Sequence, residues 1–264
     1  MKIAILGANG FVGSNLLANL SHNHTAIPVT RQTVDLLNPI DVEEYLKIQN
    51  FDVVVNAAAV MTDPTLLHDT RNNLGMFMNF YKNSDLFGKF INLASGAEFD
   101  RELDINQASE GLIFSRMPKD SYGWGQNIKS RLCYDKHNFY TLRIFNCFGP
   151  GEKATRIFPK FIKEQITPRF EIQNDRYFDY FSIQDLTKVV EYFIENICLV
   201  KDVNCVYTEK LKISQVLEKF CHIKQLKSNY VVTSTSNNNY CGSGAALDSL
   251  GIELEGLEKG FEKY

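Results

Sequence analysis

Short apolar runs alternate along the chain with stretches in which hydrophobic residues recur every three or four positions. Lys2 to Leu6 is an apolar run ending at Gly7, and Val12, Leu16, Leu17 and Leu20 then fall on one helical side. A second strand fits 25–30. Asn38-Pro39 reads as an N-cap with proline at the first helical position, opening a helix to about 49. Asp52 to Ala57 is a buried strand, followed by a helix over about 66–82 and the strand Lys89 to Leu93. A helix from about Ser121 to 137 leads to the strand 139–145. This alternation predicts an α/β fold: a doubly wound parallel sheet covered on both faces.

Beyond Gly149 the regularity weakens. Helices are expected near 156–166 and 183–197, the latter capped by Ser182, and Ser234 to Asn239 reads as a polar loop. Residues 1–148, with 180–206 returning to them, are expected to form the main domain. Residues 149–179 and 207–264 would form a small lobe over the carboxyl ends of the strands, where open α/β sheets bind ligands.

Composition narrows the field. The 264 residues are 44% hydrophobic and 22% charged, an ordinary soluble balance. A net charge of −3 gives no general attraction for nucleic acid or an acidic membrane, so neither is expected as a partner. The six cysteines contain no C-x-x-C pair, which favours reduced thiols in a cytoplasm over a disulfide framework or a metal site. The opening apolar run is too short for a signal peptide or a membrane span.

The chemistry begins at Gly7-Ala8-Asn9-Gly10-Phe11-Val12-Gly13, set between a strand and a helix. Gly7 allows the tight turn, Gly10 lets backbone approach a pyrophosphate, and Gly13 permits close packing of helix on sheet. The helix start offers free amides and a partial positive charge. This context turns a weak glycine pattern into a dinucleotide-binding signal. At the end of the second strand an NAD enzyme usually has an acidic residue for the ribose hydroxyls, but here Thr30 and Arg31 stand there. A cation favours the extra phosphate of NADP, with NAD as the alternative if Arg31 is only a solvated loop charge.

The spacing resembles the G-x-x-G-x-x-G of the extended short-chain dehydrogenase/reductase family, whose epimerase/dehydratase members work on nucleotide sugars. Val29-Thr30-Arg31 with Val34-Asp35-Leu36 resembles the adenine-contacting segment, and Asn56-Ala57-Ala58-Ala59 the motif beside the cofactor. Asn73-Leu74-Gly75 is similar to a helix motif below it. Leu142 to Asn146 with Gly149-Pro150-Gly151 resembles the substrate-side strand and loop, and Asp179 to Leu186 a late strand-to-helix motif. The resemblance spans nearly the whole chain. It implies cofactor contacts from Gly7, Asn9, Gly10, Phe11, Val12, Gly13, Arg31, Asp35, Leu36, Ala57, Ala58, Ala59, Asn73 and Gln126.

The resemblance further implies a Tyr that moves a proton, a Ser that holds the substrate oxygen, and a Lys one helical turn after the Tyr. Ser95 and Tyr122 match the first two roles. The lysine position holds Gln126, and Lys129 lies about a turn too far along. Glutamine can hydrogen-bond a ribose but brings no positive charge. A phenol left near its usual pKa of about 10 would be roughly one part in a thousand phenolate at neutral pH. Alcohol oxidation, which needs the phenolate base, would suffer; ketone reduction, which needs the protonated phenol, would not.

Within the family, the 4,6-dehydratases carry an Asp-Glu pair just after the serine, whereas Ser95 precedes Gly96-Ala97, with Glu98 one place late and aimed elsewhere. The Arg31 to Leu37 region most resembles the fucose-synthase and deoxysugar-reductase branch. Fucose synthases epimerise with a Cys and a His, and the matching positions hold Ala97 and Arg156. The expectation is therefore NADPH-dependent reduction of a 4-keto nucleotide-activated sugar. A nucleotide-sugar 4-epimerase and a catalytically weak dinucleotide-binding sensor or assembly protein are the alternatives.

A nucleotide-diphosphate sugar would meet Ser95, Tyr122, Asn146, Arg156 and Arg176. Phe178-Asp179 replaces the family's usual Arg-Asp pair. The resemblance implies a homodimer through the helices 66–82 and 121–137, with Met76, Phe77 and Phe80 either at that interface or in the core.

Overall fold

The computed structural model describes residues 1–60, 67–164, 169–236 and 238–264. In chain order the main elements are β1 (Lys2–Leu6), α1 (Phe11–Leu20), β2 (Thr25–Val29), α2 (Pro39–Gln49), β3 (Val53–Asn56), α3 (Leu67–Lys82), β4 (Lys89–Ser95) and β5 (Ile105–Ala108). Then follow α4 (Ser121–Asp135), β6 (Phe139–Ile144), β7 (Cys147–Phe148), α5 (Ile157–Lys163), β8 (Phe170–Ile172), β9 (Phe181–Ser182) and α6 (Ile183–Glu195). The chain finishes with β10 (Asp202–Cys205), α7 (Ile213–Lys224), β11 (Tyr230–Val232), β12 (Tyr240–Gly242), α8 (Ala245–Asp248) and α9 (Leu257–Glu262).

Six strands form one parallel sheet in the order β10-β6-β4-β3-β1-β2. Strand side chains alternate between its faces. Ile3, Ile5, Val53, Val55, Ile91 and Leu142 pack on one face with Leu16 of α1 and Leu186, Val190 and Phe193 of α6. Ala4, Leu6, Val54, Phe90 and Phe139 pack on the other with Val42 and Leu46 of α2 and Phe77 and Phe80 of α3. Phe77 and Phe80 are thus core residues, and Met76 packs against the same cluster. The expected doubly wound sheet is what the chain forms.

Local signals set the helix starts. Asn38 Oδ1 accepts the Ile40 amide at 3.0 Å ahead of Pro39, and the Ser182 hydroxyl accepts the Asp185 amide at 3.1 Å. Helix α4 begins at Ser121 as expected, with Asp120 accepting the Gly123 amide at 2.8 Å. Residues 165–166, expected to end the helix near 156, lie outside the described residues.

After β6 the chain builds a second, aromatic cluster from Phe148, Phe158, Phe161, Phe170, Tyr180, Phe220 and Phe261. Three two-stranded pairings stitch this half together: β7 with β9, β8 with β11, and β5 with β12. The last one brings Tyr240 beside the segment that follows β4. All six cysteines are buried and free. Among the described residues no helix is long and apolar enough to cross a membrane.

Candidate active site

The glycine loop leaves the carboxyl end of β1 at Gly7, whose φ of +73° suits glycine. A β-carbon on Gly7 would come within 2.8 Å of the Ala57 carbonyl oxygen and the Ala58 α-carbon, so the loop lies directly on the chain leaving β3. The Gly10 amide closes the turn on the Gly7 carbonyl at 2.9 Å. A β-carbon on Gly13 would sit 2.2 Å from that same oxygen. Helix α1 starts with no side-chain cap and no acidic residue in its first turn. Its first amides therefore keep both their hydrogen-bonding need and the positive end of the helix dipole for an anion.

Around this loop the sequence-expected cofactor residues divide by what their side chains do. Asn9 and Arg31 are exposed; Phe11 and Val12 lean against the core. Asp35 accepts the Leu37 amide at 3.0 Å, and the Leu36 side chain is buried in the core. Ala57 and Ala58 lie under the loop, partly buried, and Ala59 is exposed. Asn73 has a positioning task, since its carboxamide holds the Val60 amide at 2.7 Å and the Val60 carbonyl at 2.9 Å.

Ser95 ends β4 at the same edge of the sheet. Its hydroxyl accepts the Ala97 amide at 3.2 Å, and Glu98 Oε1 accepts the Ser95 amide at 3.1 Å, a capping box that fixes the serine. Glu98 is fully buried, and its other oxygen takes the Arg143 Nε at 2.8 Å. Arg143 reaches on to Asp202 at 2.9 and 3.0 Å and to Asn204 at 3.0 Å. Glu98 is therefore turned away from the serine hydroxyl, though not by strand alternation: β4 ends at Ser95, and Gly96 to Phe99 form a tight helical turn.

Tyr122 stands in the first turn of α4, with its phenol beside Ser95 and Gln126, whose hydrogen-bonding groups favour its ionised form. Burial raises the phenol's pKa above the ordinary tyrosine range; Ser95 and Gln126 pull it back, Glu98 pushes it up, and Arg101 lowers it slightly. Arg101 lies over the Tyr122 ring, 5.9 Å from its centre, and pairs with Asp120 at 2.9 Å. Gln126 is buried, and its Oε1 has no hydrogen-bond partner among the described residues. Lys129 is also buried, and burial holds its ammonium down to about 8.

One residue of this cluster escapes sequence reasoning. Tyr240 is buried with its phenol beside Ser95; burial raises its pKa and the Ser95 hydroxyl pulls it back. The Phe145 ring, wedged between Gly96 and Gly242 where β-carbons would collide with it, sets the spacing. The polar run before Tyr240 was the only sequence signal nearby.

Asn146 and Arg156 are brought together, with Arg156 Nη2 donating to Asn146 Oδ1. The Tyr180 phenol is buried nearby; burial raises its pKa and Asn146 pulls it slightly back. Arg176 donates to the Asn238 carbonyl at 2.8 Å and lies over the Phe178 ring, while its buried Nε has no partner among the described residues. Arg176 also lines a depression with Lys160 and Arg169. Asp179 is paired with Lys210 at 3.0 Å and accepts the Gly242 amide at 2.8 Å; burial still lifts its carboxyl to about 6. It holds the β12 segment in place.

The model of the NAD dependent epimerase/dehydratase family matches residues 3–205, which span the glycine loop, Ser95 and Tyr122. The chain belongs to that family. A GDP-L-fucose synthase of Azorhizobium caulinodans is 28% identical over 173 residues, covering 57% of this chain and 53% of that protein. A GDP-L-colitose synthase of Yersinia pseudotuberculosis is 22% identical over 190 residues, covering 63% and 61%. The chain thus spans little more than half the length of these curated relatives. Among solved structures, a GDP-mannoheptose C4 reductase from Campylobacter jejuni with NADP bound has a TM-score of 0.83 at 20% identity, covering 99% of this chain and 96% of that one. A dTDP-4-dehydrorhamnose reductase from Bacillus anthracis in complex with NADP has a TM-score of 0.81 at 16% identity, covering 100% and 98%. At these identities the likeness establishes the fold.

Proposed function

We propose that this member of the epimerase/dehydratase family reduces the 4-keto group of a nucleotide-activated sugar with NADPH. The observation that carries the reading is the meeting of Ser95, Tyr122 and Gln126 at the strand edge that also bears the glycine loop.

The residues fit a dinucleotide. The uncapped start of α1 and the side-chain-free surface of Gly7, Gly10 and Gly13 suit a pyrophosphate. The orphaned Gln126 Oε1 suits a ribose hydroxyl, because a buried acceptor without a donor is costly. Exposed Arg31 after Thr30 suits a ribose phosphate and so favours NADP over NAD. When bound, the reduced nicotinamide supplies the hydride. Tyr122, kept protonated by its surroundings, donates its proton to the substrate's keto oxygen, and the Ser95 hydroxyl holds that oxygen. Gln126 and Ser95 then face the phenolate as donors.

Residues 149–179 and 207–264 serve as the substrate lobe in this reading. Arg156, Asn146 and Arg176 take the diphosphate sugar, and Arg176's orphaned Nε is a donor that an anion would satisfy. The protein works in the cytoplasm, where its buried thiols stay reduced, as a homodimer through α3 and α4. Neither nucleic acid nor a membrane is part of this reading.

The test is a panel of GDP- and dTDP-linked 4-keto-6-deoxysugars with NADPH, read as loss of the reduced-nicotinamide absorbance. Turnover with one of them supports the reductase. Tight NADPH binding with no turnover across the panel defeats it in favour of a dinucleotide sensor.

A further inference from the structure

The sheet edge opposite the glycine loop carries a cluster for which the proposed reduction has no use. His24 ends the turn from α1 to β2, and Glu191 and Glu195 stand one helical turn apart on α6. His24 Nε2 lies 3.8 Å from a Glu191 oxygen and 3.7 Å from a Glu195 oxygen. The three ligand atoms all fall within 4.8 Å of one another. The His24 side chain is only 5% exposed, against 28% for Glu191 and 53% for Glu195. Its Nε2 is buried and has no hydrogen-bond partner among the described residues.

A simple ion pair does not account for this geometry. A protonated imidazole would draw one carboxylate to about 2.7–2.9 Å along its N–H. Instead the nitrogen sits midway between two carboxylates and bonds neither. Leaving a buried ring nitrogen unmet carries a desolvation penalty. A divalent cation among the three atoms would satisfy all of them together. Small inward movements of the two glutamates, the more exposed members, would reach bonds of about 2.0–2.2 Å. Asn23 Nδ2 donates to Glu191 Oε1 at 2.8 Å, the kind of outer contact that orients a ligating carboxylate.

We propose that His24, Glu191 and Glu195 form a divalent-cation site of the Zn2+ class. One imidazole with two carboxylates suits such a cation better than Mg2+, which prefers oxygen ligands and keeps its waters. Three protein ligands leave room for water at a fourth position. The site clamps the turn before β2 onto the last turns of α6. Those turns are already gathered from the other direction by Lys89, whose ammonium holds the Phe193, Ile194 and Asn196 carbonyls at 2.7–3.0 Å. Because the clamp lies at the amino ends of the strands, away from Ser95 and Tyr122, it acts on stability rather than turnover.

The experiment uses the full chain, tag removed and chelator-treated, titrated with ZnCl2 by calorimetry and with Co2+ by visible absorption. One Zn2+ per chain is expected, with a thermal midpoint several degrees higher than without it. His24→Gln should weaken binding by at least the roughly 10- to 100-fold that outer-sphere partners are worth, and Asn23→Ala by roughly tenfold. Glu195→Gln, on an exposed position, serves as a second ligand variant should the histidine variant fold poorly. NADPH binding should be the same in all three variants. Absence of binding, unchanged affinity in the ligand variants, or equal stabilisation by Mg2+ would overturn the site.

Discussion

The carbonyl oxygen of Gly7 lies where a side chain on Gly13 would have to go, 2.2 Å from the β-carbon position. The same oxygen holds the Gly10 amide, so the loop cannot yield without opening its own turn. Gly13→Ala should therefore destabilise the protein by about 1–3 kcal/mol and weaken NADPH binding together. Urea unfolding alongside fluorescence titration of NADPH checks this. Normal binding in the alanine variant would remove the loop from the cofactor site.

In the proposed reduction, Gln126 is expected to set the pH range. With Tyr122 as the proposed acid, reduction should persist until pH rises through the tyrosine's pKa, which burial holds above the usual range. Gln126→Lys places a cation beside the phenol and should move the alkaline fall in kcat/KM to lower pH. Alcohol oxidation at pH 8 should rise by about tenfold for each unit of lowering. An unshifted profile would mean that residue 126 does not address Tyr122.

Tyr240 positions the serine. A serine hydroxyl has one proton and two acceptor sites, and the Ala97 amide occupies one of the latter. The Tyr240 phenol is a further neighbour of that hydroxyl, and its presence limits the orientations the Ser95 proton can take. Tyr240→Phe should lower kcat by about tenfold, the worth of one hydrogen bond, with KM little changed. A rise in KM alone would reassign Tyr240 to substrate binding.

Lys129 makes stability depend on alkaline pH. Its folded pKa of about 8 lies below the unfolded value near 10.4, so between these pH values the unfolded chain binds more protons. Stability from this group therefore rises as pH goes from about 8 to 10. Lys129→Met should remove that rise and stabilise the protein at pH 7 by about 1–3 kcal/mol. Urea midpoints at pH 7 and 9.5 give the comparison, and parallel shifts of both proteins would refute it.

Arg143 is the opposite case, a buried cation with two buried carboxylates. Arg143→Met leaves Glu98 and Asp202 without a counter-charge and should cost about 3–5 kcal/mol in chemical unfolding. A loss below 1 kcal/mol would mean that the carboxylates simply take up protons.

Much of this was legible before any coordinates. Periodicity located five of the six strands of the main sheet and missed only β10, and Asn38-Pro39 and Ser182 located two helix starts, because these signals act within a few residues. The glycine spacing identified the loop for the same reason. Tyr240 was not legible, since it reaches Ser95 through the pairing of β12 with β5, a contact between distant segments with no local signature. Arg143 reads as one polar position on a substrate-side strand, yet the fold buries it completely because Glu98 and Asp202 come from two neighbouring strands' ends. Asn73's hold on the Val60 backbone was likewise invisible, because it joins a helix to a loop thirteen residues away.

The guanidinium of Arg143 also joins two places that evolution usually treats differently. The outermost strand of an open sheet is ordinarily free to drift, lengthen or acquire insertions, because little depends on it. Here β10 carries Asp202, and any displacement of that carboxylate passes through Arg143 to Glu98 and from there to the backbone of Ser95. The rim strand is thereby tied mechanically to Ser95, so a shift of β10 would be felt at the serine's backbone.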